Sequence, residues 1–174
     1  MEITVKSGSH KTLRQISIAG VLTALSFATS SIVVLPNMAP CQHFFNVITA
    51  VLLGPWYAIG VAFLTGGMRM VLEGRPILAI TGAVFGAALA GLLYRLTDNY
   101  LAAVLGEIVG TGIISAIVSA PIMTWLYHVK VPHFYFYIPF FLPASVFGAI
   151  LAYLFLKAVA GTKILSQLIG ELKI

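Results

Sequence analysis

From Gln15 to Met68 the chain contains no Asp, Glu, Lys or Arg, and stretches nearly as apolar fill most of the remaining sequence. That distribution constrains the fold more tightly than any motif does. A soluble domain carries about 25% charged residues. Here 9% are charged and 60% hydrophobic, so most of the surface cannot face water. The runs are continuous and rich in Leu, Ala, Ile and Gly; they lack the apolar–polar alternation of a lipid-facing barrel strand, and helices are the other way to satisfy backbone groups in hydrocarbon. They are also too long and numerous for a signal peptide ahead of a soluble core, and no small-residue cleavage site follows the first. The fold class is therefore all-α, an integral membrane bundle.

A hydrocarbon core of about 30 Å needs about 20 helical residues to cross it. On that ruler the sequence predicts six transmembrane helices, over Leu13–Leu35, Pro40–Leu53, Trp56–Leu72, Pro76–Leu93, Tyr100–Tyr127 and Phe136–Ala158. Pro36 ends the first and Gly54-Pro55 the second. The second is short enough to leave 36–41 folded into the outer half of the membrane. No linker or low-complexity segment divides the chain and no inverted repeat is evident. A single domain over 1–174 is expected, with a short N-terminal segment 1–12 and an amphipathic tail 161–174 along the inner surface.

The net charge of +5 would suggest nucleic acid in a soluble protein. Here the basic residues sit at the ends of apolar runs, where they report topology, and no nucleic-acid partner is expected. With both termini cytoplasmic, Lys6, Lys11, Arg14, Arg95, Lys157, Lys163 and Lys173 lie inside and only Arg69, Arg75 and Lys130 outside. Trp56, Tyr57, Tyr94 and Tyr100 then fall at the inner interface, and Trp125, Tyr127, Tyr135 and Tyr137 at the outer one. The single Cys41 excludes an intrachain disulfide and offers no thiolate metal site, so no metal is expected.

Polar residues inside apolar runs mark candidate function, since a charged side chain at the helix centre costs at least about 2.5–3.5 kcal/mol. His43 and Asn46 share a face at the start of the second helix, beside Gln42. They either cap that helix or offer donors and acceptors to a neutral, polar, ring-bearing ligand. Arg69 stands one turn before Glu73, and either pairs with it or points inward as a donor on a pocket floor. Glu107, with Thr111, Ser115 and Ser119, forms a polar line facing the bundle interior; it orders helix packing, or it touches a ligand or Arg69. Trp125 and Tyr135 either wall a pocket or belong to an interfacial belt. In the first helix Gly20, Ala24 and Ala28 stack on one face and permit close helix approach, within the bundle or to a partner.

No phosphate-binding loop, nucleophile elbow, zinc-protease pair or carboxylate dyad occurs. The chain is not expected to be an enzyme or to hydrolyse ATP, and it needs no cofactor of its own. A binding role remains.

The segment Pro40-Cys-Gln-His-Phe-Phe-Asn46, then Ala50-Val-Leu-Leu-Gly-Pro-Trp-Tyr57, Arg69 and Thr81-Gly-Ala-Val-Phe-Gly-Ala87, resembles the ThiW family, substrate-binding (S) components of energy-coupling-factor (ECF) vitamin transporters. The likeness runs from about Ile16 to Leu156. It implies uptake, across a prokaryotic plasma membrane, of the thiamine precursor hydroxyethylthiazole. It also implies partners: a transmembrane T subunit, docked through the first helix at Ala24 and Ala28, and two ATPase subunits that use the ATP. The resemblance leaves other S-component ligands open, namely thiamine, its pyrimidine precursor or a different vitamin. A stand-alone carrier or channel, and a membrane enzyme acting on a phosphate-bearing lipid, are the rivals from other classes.

Overall fold

The punctuation visible in the sequence sets where helices begin and end. In a computed structural model, which describes residues 7–33, 39–162 and 170, six helices follow one another. They are α1 (Ser7–Ile32), α2 (Pro40–Leu53), α3 (Pro55–Glu73), α4 (Leu78–Thr97), α5 (Tyr100–Tyr127) and α6 (Ile138–Val159). No strand occurs among the described residues. Pro40 and Pro55 occupy first-turn positions, where a missing N–H costs nothing. Gly54 (φ 81°) makes the corner between α2 and α3, and Gly74 (φ 66°) ends α3 in the left-handed conformation glycine tolerates best. Asn99 opens α5 by accepting the Leu101 N–H at 2.9 Å.

Four helices are long and apolar enough to cross a membrane: α1 over His10–Ile32, α4, α5 and α6. At 1.5 Å per residue the 14 residues of α2 span about 21 Å, less than the hydrocarbon core. α3 has 19 residues but carries Arg69 and Glu73 in its last turns. α1 starts at Ser7, inside the segment expected to precede it. Lys6, Pro36 and nearly all of the expected tail 161–174 lie outside the described residues.

α4 is the central helix, packed against α2, α3 and α5. Its small residues Gly82, Ala83, Gly86, Ala87, Ala90 and Gly91 are buried, as the repeated small-residue spacing predicts. The α4–α5 crossing is so close that a Cβ on Gly106 would stand 2.8 Å from Ala90 Cα. Within α5 the segment Gly110–Ser115 is π-helical and Pro121 lies inside the following α-helical part. The wide π turn leaves α5 continuous while shifting the face presented by everything after it.

α1 packs on α2 and α3 through Gln15, Leu22, Thr23, Ser26 and Ser30, all buried. Gly20, Ala24 and Ala28 lie on the other side and are exposed. The main apolar core fills the space among α2 to α6, around Val47, Val51, Ala87, Val104 and Leu156. A second, smaller cluster of Ala116, Ala120, Met123 and Tyr137 joins the end of α5 to the start of α6.

Candidate binding site

Between these two clusters the helices leave a partly enclosed cavity of about 330 Å³. Its position follows from chain geometry. α2 begins with its polar turn, α3 ends with Arg69 and Glu73, and α4 contributes the small residues Ala79 and Gly82 at its start. α6 closes the opposite side with aromatic rings. Phe136 and Phe140, and Tyr137 and Phe141, are i,i+4 pairs, so the four rings share one side of the cavity. Ring centroids are 5.6 Å apart in the first pair and 5.9 Å in the second.

The polar side is held in place by bonds that cross between helices. Arg69 is buried, and its Nη1 donates to Gln42 Oε1 at 2.7 Å. Gln42 Nε2 in turn donates to the Ala79 carbonyl at 3.3 Å, so α2, α3 and α4 are joined through one amide. Arg69 Nε lies 3.5 Å from Glu73 Oε2, and Arg75 Nε lies 3.4 Å from the same oxygen. Ser31 on α1 donates to the other oxygen of Glu73. Arg69 thus pairs with Glu73 and also lines the cavity.

Behind this layer lies a second network, fully buried. Glu107 Oε1 receives Asn46 Nδ2 at 3.0 Å and Thr111 Oγ1 at 2.9 Å, and faces His43 Nδ1 at 2.9 Å. Asn46 also donates to the Ala83 carbonyl at 3.2 Å. Glu107 Oε2 has no hydrogen-bond partner among the described residues. A carboxylate with no exposure, deep in an apolar bundle, is tolerable only where donors converge on it. Further along α5, Ser119 meets Thr81 of α4 at 2.7 Å. The polar line of α5 faces inward throughout: Glu107, Thr111, Ser115 and Ser119 all have zero exposure.

Gln42, His43 and Arg69 line the cavity, with Asn46 and Glu107 behind them. Trp125 and Tyr135 stand apart from it. Trp125 is 82% exposed and borders a separate, open groove with His128, His133 and Phe134. Tyr135 stacks on His133, with centroids 3.9 Å apart. Arg75, Phe136, Phe140 and Phe141 also line the cavity, and sequence reasoning does not single them out. The i,i+4 aromatic spacing is the available signal for the three phenylalanines. Arg75 has none, because its reach depends on the left-handed turn at Gly74.

The result is a site with one aromatic wall and one wall of hydrogen-bonding groups. It suits a small, flat, weakly polar molecule, and its volume lies near the lower end of the range for small-ligand pockets, about 300–1,000 Å³.

Compared with known families, residues 16–162 match the model described as "Thiamine-precursor transporter protein (ThiW)". No curated protein matches the chain, and no solved structure does.

Proposed function

The chain belongs to the ThiW family of thiamine-precursor transporters, and from that membership we propose that it is the substrate-binding subunit of an ECF importer for hydroxyethylthiazole. The observation that carries this reading is the cavity itself, where an aromatic wall from α6 faces Gln42, His43 and Arg69. A thiazole ring would lie against Phe140 and Phe141, and its nitrogen and hydroxyl would meet the polar side. Offset or edge contacts between such rings add about 0.5–1.5 kcal/mol beyond area burial.

Charge favours the precursor over the finished vitamin. Arg69 and Arg75 both line the cavity, with Glu73 their nearby carboxylate. Thiamine carries a permanent positive charge on its thiazolium ring. A like-charge pair about 6 Å apart costs at most about 3 kcal/mol at an effective dielectric constant of 20, less what the carboxylates of Glu73 and Glu107 offset. The neutral thiazole avoids that repulsion.

With six crossings and both termini cytoplasmic, in a prokaryotic plasma membrane, the cavity would lie in the outer half, open toward the side from which a solute arrives. Lys11, Arg14, Arg95 and Lys157 are then inside, which agrees with the positive-inside rule. The motor is supplied by a T subunit and two ATPases. Support for docking through α1 comes from the outward direction of Gly20, Ala24 and Ala28, which leaves the bundle's own packing to the opposite face.

Calorimetric titration of the purified chain in lipid nanodiscs with hydroxyethylthiazole, thiamine and the pyrimidine precursor tests this. Hydroxyethylthiazole is expected to bind at least about tenfold more tightly than thiamine, the equivalent of about 1.4 kcal/mol. Tighter binding of the pyrimidine or of thiamine would move the assignment to that ligand.

A further inference from the structure

We propose that Glu107 is a positioning residue that fixes His43 as a hydrogen-bond acceptor toward the cavity, so that the site selects a ligand bearing a hydroxyl group. The proposal rests on the binding role given to the cavity above and adds to it the polarity of one contact.

The donors around Glu107 favour one tautomer. Glu107 Oε1 takes in the Asn46 amide N–H and the Thr111 hydroxyl, and meets His43 Nδ1 at 2.9 Å. Two donors already converge on that oxygen, which suits it to accept the third contact as well. Nδ1 then carries its hydrogen and donates to it. A neutral imidazole protonated at Nδ1 has a bare lone pair at Nε2. Nε2 makes no hydrogen bond to the described residues, and His43 lines the cavity.

The neighbouring polar atoms are committed elsewhere. Gln42 spends its oxygen on Arg69 and its nitrogen on the Ala79 carbonyl. The guanidinium N–H groups can only donate. The Tyr137 hydroxyl does either, and Nε2 is the side-chain nitrogen on this surface that accepts. α6 packs closely on α2 at this point: a Cβ on Gly148 would stand 2.8 Å from His43 Cβ. A ligand that fits must bring an acceptor to the arginines and a donor to Nε2. A small neutral heteroaromatic alcohol has both; its ether lacks the donor.

The test uses the full chain in nanodiscs, titrated with hydroxyethylthiazole and with its O-methyl ether. The expected result is a preference for the alcohol of about tenfold, the usual consequence of leaving one buried acceptor unpaired. The ratio of the two affinities, read within the folded variant, should fall near one in His43→Ala. It should persist in Glu107→Gln, whose amide oxygen still accepts from Nδ1–H, and be lost in Glu107→Leu. Equal affinity of the unaltered protein for alcohol and ether overturns this inference and leaves the binding site standing. Binding of neither overturns both. A second measurement needs no variant with altered binding: in ¹⁵N-histidine-labelled protein, Nε2 of His43 should show the shift of an unprotonated nitrogen. A protonated Nε2 in the ligand-free protein would overturn the proposal.

Discussion

Gly86 shows how much of this molecule depends on single atoms. A Cβ there would stand 2.7 Å from Glu107 Oε2 and would run into Thr111 Oγ1. Gly86→Ala should therefore push α4 away from α5. Overpacking of this kind costs about 1–3 kcal/mol, and a lowered thermal midpoint in detergent is the expected readout. Gly20→Ala, with nothing within 4 Å of its new methyl, should leave that midpoint unchanged. At Arg69 the expectation concerns binding. Arg69→Ala should weaken ligand affinity by about tenfold to a hundredfold, the range for a charged hydrogen bond. Arg69→Lys should not restore it, since one ammonium cannot replace the fork that reaches Gln42 and Glu73 together. Titration of each folded variant decides both. The identities of Gln42, His43, Asn46, Arg69 and Glu107 as candidates were legible in the sequence, because polar atoms in hydrocarbon demand partners. Which partners they take was not: Arg69 and Gln42 are 27 residues apart, His43 and Glu107 64. Those distances close only once three helices have docked. Trp125 was equally opaque, because a ring at a membrane interface and a ring over a pocket leave the same mark in a sequence.

Among the elements, α2 and α5 have the expected bounds, Pro40–Leu53 and Tyr100–Tyr127. Their ends are set by local signals, a first-turn proline, the Gly54-Pro55 corner and the Asn99 cap. The π segment Gly110–Ser115 has no such signal. It begins where Gly110 comes close to Gly86 and Phe85, a contact between distant stretches of chain. Removing Ile113 would return the segment to regular α geometry while keeping the face of everything after it, because six π-helical residues turn through about the same angle as five α-helical ones. Ser119 would keep Thr81, so the thermal midpoint and ligand affinity should change little. A large fall in the midpoint of that deletion would show that the π turn itself, and not only the face it sets, is needed. α1 invites the opposite experiment. Ala24→Leu with Ala28→Leu adds bulk to an exposed face of α1. The double variant should bind hydroxyethylthiazole normally and fail to support its uptake in cells, if that face is where the T subunit docks. Normal uptake would place docking elsewhere.

At the scale of the whole molecule, the bundle separates two tasks. Its interior is tied by small residues and by polar atoms that bond across helices, each such bond worth about 0.6 kcal/mol in a membrane. Its cavity lies where α2, α3, α4 and α6 meet, away from the outward face of α1. A cavity and an exposed small-residue face on different helices fit the proposed receptor, which would hold solute and take its energy from a partner. The six helices could be read from apolar runs broken by Pro and Gly, whereas the cavity could not, because its aromatic wall and its polar floor come from opposite ends of the chain. The most direct measurement is accumulation of labelled hydroxyethylthiazole in sealed vesicles containing this chain alone, or the chain with a T subunit, two ATPases and ATP. A receptor that borrows its motor should show saturable binding without accumulation in the first case and concentration against a gradient in the second. Accumulation by the unaccompanied chain would contradict that role.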